Sequence, residues 1–209
     1  MSDRTPVEVF DEWAKIGKDK GMEKGHASAV DEMLTAALKE VALLGEKFTA
    51  IDAGCGNGWV VRNLKMMPFC SGAIGVDGAP TMIARAKEID PDGEYYLSDL
   101  TQWNPNEKVN LVHSMEVFYY VEETLPLLQH ISSWIKPKGY LIFGVDRYLE
   151  NEESHDWDKK VGCFMALHSV EEWSNFVEEA GFTIVNKWFA APDEDRGWPG
   201  TLAFLCCKP

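Results

Sequence analysis

Apolar and polar positions alternate along this chain with two different periods. Over residues 26 to 44, Val30, Met33, Leu34, Ala37, Leu38, Val41 and Leu44 recur every three or four residues, which lines one helix face, and Gly45 follows as a stop. Beyond it come short β-rich apolar runs at 48 to 53 (FTAIDA), 71 to 77 (SGAIGVD), 94 to 98 (EYYLS), 110 to 115 (NLVHSM) and 139 to 146 (GYLIFGVD). Helical stretches over 58 to 66, 80 to 88 and 123 to 135 lie between runs, and Pro80 stands where a first helical turn needs no N–H. A further helix opens at Ser169, with Glu172 three residues on to complete a capping box, and closes at Gly181. The tail carries two more runs, 183 to 191 and 201 to 207, whose acidic connection is too short for a crossover helix and predicts an antiparallel pair.

Strand runs alternating with helices predict an α/β fold, a Rossmann-like three-layer sandwich whose seven-stranded sheet is mostly parallel and closes on a C-terminal antiparallel hairpin. A chain of 209 residues with 45% hydrophobic side chains can bury one full core, and no linker, repeat or low-complexity stretch divides it. A net charge of -14 sets up a field that repels nucleic acid and anionic membrane surfaces. The basic residues are scattered, with Lys159 and Lys160 the longest cluster. No run approaches the ~20 apolar residues of a membrane span. The first residues are acidic where a signal peptide would be basic, so a cytoplasmic location is expected. Cys55, Cys70, Cys163, Cys206 and Cys207 form an odd set without a CxxC pair, which predicts reduced thiols and no metal site.

The chemistry begins at AIDAGCGNGW, where Gly54, Gly56 and Gly58 directly follow the first strand and let backbone approach a ligand closely. A glycine turn of purely structural purpose is the alternative. A dinucleotide fingerprint places its third glycine at position 59, which is Trp59 here, so NAD is disfavoured. The second strand ends in Asp77, 23 residues after Gly54, at the same predicted sheet edge, where a carboxylate can accept two ribose hydroxyls or cap a turn.

IDAGCGNG, with Asp52 and the GxGxG spacing, resembles the first motif of class I S-adenosylmethionine-dependent methyltransferases of small-molecule type. The resemblance extends over residues 48 to 146. It implies S-adenosylmethionine as cofactor, with Asp77 and Gly78 at the ribose and Met82 flanking the adenine. Ser98, Asp99 and Leu100 resemble the segment in which an Asp accepts the adenine amino group, although Asp99 can equally cap the turn at Thr101 and Gln102. KVNLVHSMEVFYYVEE resembles the family's DLVxxxxVLxxV segment, with Asn110 for the usual Asp, and places Met115, Glu116 and Val117 behind the cofactor. WIKPKGYLIFGVD resembles LKPGGxLxxxxP, with Lys138 and Asp146 as departures. The implied division is a single domain over 1–209: an N-terminal cap and helix over 1–45, a cofactor-binding core over 46–146, and an acceptor-side segment with the hairpin over 147–209.

A sulfonium donor is already activated, so few catalytic residues are obligatory and the acceptor is expected near the ends of the fourth and fifth strands. Glu116, Tyr120 and His168 are the catalytic candidates, with Tyr119, Asp146, Tyr148 and Trp157 nearby; half-buried packing is the alternative for each tyrosine, and helix entry for His168. Residues 151 to 168 are a lid or a solvated loop. Residues 10 to 26 resemble the family's variable N-terminal caps and place Trp13, Met22 and His26 near the methionine end, with an ordinary surface helix as the alternative. No NPPY-type quartet follows the fourth strand, where the chain reads HSMEVF, so a small metabolite is the expected acceptor and nucleic acid is not. A non-catalytic module that binds S-adenosylmethionine is the second reading.

Overall fold

The computed structural model describes residues 4–209. Its elements run α1 (Pro6–Lys15), α2 (Asp19–Ala42), β1 (Phe48–Ala53), α3 (Trp59–Met66), β2 (Cys70–Asp77), α4 (Pro80–Ile89), β3 (Glu94–Leu97), β4 (Val109–Met115), α5 (Thr124–Trp134), β5 (Ile135–Val145), α6 (Trp157–Val161), α7 (Val170–Glu179), β6 (Thr183–Ala190) and β7 (Thr201–Cys207). The seven strands form one sheet in the order β3-β2-β1-β4-β5-β7-β6. β1 to β5 pair in parallel, whereas β7 inserts antiparallel between β5 and β6. This is the seven-stranded Rossmann-like arrangement that the alternation predicts.

Each sheet face carries its own apolar layer. On one, Ile51, Val112, Leu128, Trp134, Phe143 and Trp173 pack under α5 and α7. On the other, Val30, Met33, Leu64, Leu111 and Ile142 pack under α2 and α3. Burying two such layers drives the sheet into the middle of the sandwich. Strand register brings Asp52 beside Gly75 on one side and His113 on the other, so β1, β2 and β4 end at one sheet edge. At the opposite end of β4, the Asn110 side-chain oxygen accepts from the Thr49 N–H at 3.0 Å and from Lys136 Nζ at 3.1 Å. The amide thus ties β4 to β1, as the usual acid would.

Two boundaries depart from the sequence pattern. α2 begins at Asp19, not 26, running through Gly21 and Gly25. Its added turns are fixed by tertiary bonds, because buried Asp19 pairs with Arg85 and accepts from Asn57 Nδ2 at 3.1 Å. Those contacts offset the ~1 kcal/mol that each helical glycine costs. β5 begins at Ile135 because Ile135 already pairs with Val109, ahead of an irregularity at Lys138, whose φ is 64°. α7 follows the predicted boundaries, with the Ser169–Glu172 capping box formed and Gly181 at φ 88°. No helix among the described residues is long and apolar enough to cross a membrane.

Candidate active site

The turn after β1 is made by main chain. Gly54, Gly56 and Gly58 have φ of 78°, 52° and 77°, a left-handed conformation that side chains resist. The N–H groups of Gly54 and Cys55 both donate to the Val76 carbonyl, at 2.8 and 3.1 Å, which ties the turn to β2. The three glycines do different things. A Cβ at Gly54 would meet Val117 at 2.2 Å and one at Gly58 would meet the Tyr95 ring at 2.4 Å, so both are required for packing. At Gly56 the nearest neighbour would be Met82 Sδ at 3.9 Å, which leaves that backbone open to the cavity.

Asp77 completes the turn. One carboxylate oxygen accepts the Gly56 N–H at 2.9 Å and the other the Ala79 N–H at 2.7 Å. Burial pushes its pKa up, while the two N–H donors act in the opposite sense. Beneath the turn, buried Asp52 contacts His113 Nδ1 at 2.7 Å, and His113 Nε2 is buried without a partner. His113 lies inside an apolar strand and carries no local sequence signal; strand register, pairing it with Asp52, reveals it.

These groups open on a cavity of about 840 Å³. Trp13, Met22, His26, Asp52, Gly54, Gly56, Asp77, Gly78, Met82, Ser98, Asp99, Leu100, Met115, Glu116 and Tyr120 all line it. Gly58 does not, because it packs on Tyr95. His168 also lies off the cavity wall: its Nε2 is 3.1 Å from the Thr124 hydroxyl and its ring packs on Trp173 and Phe176. That placement removes His168 as a general base and makes it a helix-entry residue. Asp99 accepts from both the N–H and the hydroxyl of Thr101 at 2.8 Å, so it caps the turn while bordering the cavity. Tyr148 is buried and donates to the Gly200 carbonyl at 3.0 Å, away from the acceptor side.

The far wall is made by side chains from distant segments. α1 is capped by Thr5 and pinned to α4 by the Thr81 N–H, which donates to Asp11 at 2.7 Å. It carries Phe10, which meets Trp13 and Tyr120 with ring centroids 5.4 and 5.0 Å away. Residues 151 to 168 are tied to the body at both ends, while Glu152, Glu153, His155, Asp156, Lys159, Lys160 and Phe164 are exposed. Arg147 donates to the Ser154 carbonyl at 2.6 Å, Asn151 Nδ2 to the Asp146 carbonyl at 2.8 Å, and Ala166 N–H to the Tyr119 carbonyl at 2.7 Å. Between these ties the segment presents Trp157, Val161 and Met165 to the cavity.

Between turn and wall sits Glu116, at φ 60°. Its carboxylate accepts from the Asp146 N–H and the Tyr119 hydroxyl. Asp146 accepts from the Thr201 hydroxyl at 2.6 Å and has its second oxygen 3.9 Å from His26 Nε2. One ligand atom each from His26, Glu116 and Asp146 lies within 4.8 Å of the others, a grouping that residues 30 and 90 positions apart do not announce in the sequence. Burial pushes the Glu116 pKa well up and raises Asp146 to about 6, while it lowers His26.

A family model described as a methyltransferase domain matches residues 22–187. Among curated proteins, the trans-aconitate 2-methyltransferase of Escherichia coli O139:H28 is 29% identical over 114 residues, which are 54% of this chain and 45% of that protein. The match therefore spans less than half of the relative's length. Among solved structures, a chain from the complex between the Haloferax volcanii Trm112 methyltransferase activator and a candidate methyltransferase superposes with a TM-score of 0.85 and 27% identity, covering 100% of both chains. The N-methyltransferase NodS of Bradyrhizobium japonicum WM9, solved with S-adenosyl-L-homocysteine, shares the fold with a TM-score of 0.63 and 21% identity over 86% of this chain and 87% of its own.

Proposed function

Because this chain belongs to the methyltransferase domain family, in its class I S-adenosylmethionine-dependent group, we propose that it moves a methyl group to a small-molecule acceptor bound beside Glu116. Its cofactor is S-adenosylmethionine. The residues fit that group. Gly56 presents backbone without a Cβ to the cavity, and Asp77 is positioned to accept ribose hydroxyls. Met82 and Leu100 offer apolar surface to the adenine, with Ser98 and Asp99 at its edge. Trp13, Met22, His26 and Met115 line the cavity where the methionine portion would lie, with the buried Asp52–His113 pair supporting the turn beneath it.

When bound, the cofactor supplies a methyl group on a sulfonium, so displacement needs positioning and dryness more than a protein nucleophile. Phe10, Tyr120 and Trp157 exclude water, and Glu116 orients the acceptor and takes its proton where it has one to lose. The observation that carries the reading is that the glycine turn, Asp77 and the end of β4 open on the same cavity as this aromatic wall. The wall carries Lys18 but no arginine, which supports a small acceptor over nucleic acid. Trans-aconitate, a tricarboxylate, is a poor match for it. Residues 1–209 act as one domain in this reading, since α2 packs on the central sheet, α1 packs on α4, and the C-terminal hairpin forms the antiparallel end of the sheet. Five free thiols support a cytoplasmic setting. The likeness to a chain from an activator complex supports an accessory protein partner, tested by co-elution with a Trm112-type protein.

The test is calorimetry with S-adenosylmethionine, S-adenosylhomocysteine and NAD, followed by a search of metabolite pools for cofactor-dependent gain of one methyl. The reading predicts binding of the first two and a methylated product. Binding without product would instead favour a non-catalytic module.

A further inference from the structure

We propose that the acceptor is a cationic amine, held by the Glu116–Asp146 carboxylate pair against the aromatic wall of Phe10, Tyr120 and Trp157 and methylated on nitrogen. This names the substrate class of the site above and rests on that reading.

The first support is charge. Asp19, Glu23, Asp52, Asp77, Asp99, Glu116 and Glu122 line the cavity against one lysine. Most of the central ones are already engaged. Asp19 is neutralised by Arg85, Asp52 holds His113, Asp77 and Asp99 lie at the cofactor's ribose and adenine ends, and Lys18 is drawn over the Trp13 ring at 4.8 Å. Glu116 is left facing the space, with Asp146 directly behind it. No Lys or Arg among the described residues forms a salt bridge with either. The histidine beside them is His26, which burial favours in the neutral form, and the other ionisable neighbours of Glu116 are the neutral hydroxyls of Tyr119 and Tyr120. Two buried carboxylates in one network without a permanent counter-charge repel each other, a cost that a bound cation removes.

The second support is geometry. Glu116 holds a left-handed backbone that a non-glycine residue adopts only at a cost, and its two oxygens are fixed by the Asp146 N–H and the Tyr119 hydroxyl. The fold thereby fixes where the carboxylate points. Aromatic rings beside it add the attraction of a ring quadrupole for a cation, whereas an anionic acceptor gains nothing from either feature.

The chemistry balances. An alkylammonium docks as the cation, and Glu116 removes one N–H proton, freeing the nitrogen lone pair. That pair forms the new N–C bond as the carbon–sulfur bond breaks and its electrons return to sulfur. The products are S-adenosylhomocysteine and an N-methylammonium, and Glu116 returns its proton to solvent.

The test titrates protein saturated with S-adenosylhomocysteine with three probes of similar shape: benzylammonium, benzyl alcohol and benzoate. Benzylammonium is expected to bind at least ~10-fold more tightly than benzoate. Asp146→Asn and Glu116→Gln are each expected to shrink that preference to ~3-fold or less while S-adenosylhomocysteine affinity holds. Asn can still accept from Thr201, and thermal melts check that both variants fold. Equal binding of the three probes, preference for benzoate, no detectable binding of benzylammonium, or probe binding that requires added Mg²⁺ or Mn²⁺ would overturn the proposal. Failure to bind S-adenosylhomocysteine would be seen first and separately, and would overturn the transfer reading itself.

Discussion

At the ends of β1 and β2 the site is made by main chain: glycines with positive φ, and an Asp77 carboxylate spanning two N–H groups. At the ends of β4 and β5 it is made by side chains delivered from afar, with Phe10 on α1, His26 on α2, Glu116 after β4 and Trp157 on α6. The first region depends on a local backbone path that few sequences can follow. The second depends on which elements happen to pack there, and many residue sets could fill it. A shared cofactor can therefore be held by a recognisable motif, while the acceptor side is free to vary.

The sharpest way to break this contrast is at the glycines. Gly54→Ala places a Cβ 2.2 Å from Val117 at a left-handed φ, so it is expected to cost ~3 kcal/mol of stability, read as a fall in denaturation midpoint. Gly56→Ala has room for its Cβ and costs only ~1–2 kcal/mol in folding, yet it occupies the open backbone face and is expected to weaken S-adenosylmethionine binding ~100-fold. If both variants lost stability and binding in equal proportion, the division of labour within the turn would be wrong.

Asp146 gives the next largest effect, on the other side. Its pKa rises to about 6 in the folded protein from 3.8, because burial favours the neutral acid. Its contribution to stability is therefore complete below pH 3.8 and is lost as pH rises through 6, by up to ~3 kcal/mol. Asp146→Asn removes that loss, so urea denaturation is expected to find the variant more stable than the parent at pH 8 and no more stable at pH 4. A parallel pair of pH profiles would refute the assignment.

The smallest effect is expected at the wall. Trp157→Ala should raise the acceptor KM ~10-fold and leave S-adenosylmethionine affinity within ~2-fold. A larger loss of cofactor affinity than of acceptor affinity would place Trp157 on the wrong side of the comparison.

The same contrast explains what could be read in the sequence. All seven strands were visible as apolar runs, and the turn with Gly54, Gly56 and Asp77 was visible because the backbone demands those residue types at fixed offsets. The start of α2 was not, since it is held by Asp19, a buried polar residue that a hydrophobic stripe cannot reveal, and whose partners lie 38 and 66 positions away. α1 did leave a signal: Thr5 and Glu8 form a capping box around Pro6, a local pattern that the reading of residues 10 to 26 overlooked. His113 and the grouping of His26 with Glu116 and Asp146 needed strand register and helix packing, and His168 looked chemical only because its Trp173 and Phe176 neighbours were unknown.

The glycine turn and Asp77 are proposed to hold S-adenosylmethionine. Calorimetric titration of the cofactor into the parent protein and Asp77→Ala measures that role. Saturable one-site binding to the parent is expected, with affinity at least ~30-fold weaker for a variant that retains the parent's circular dichroism. Undetectable binding to the parent, or equal affinity for the two proteins, would contradict it.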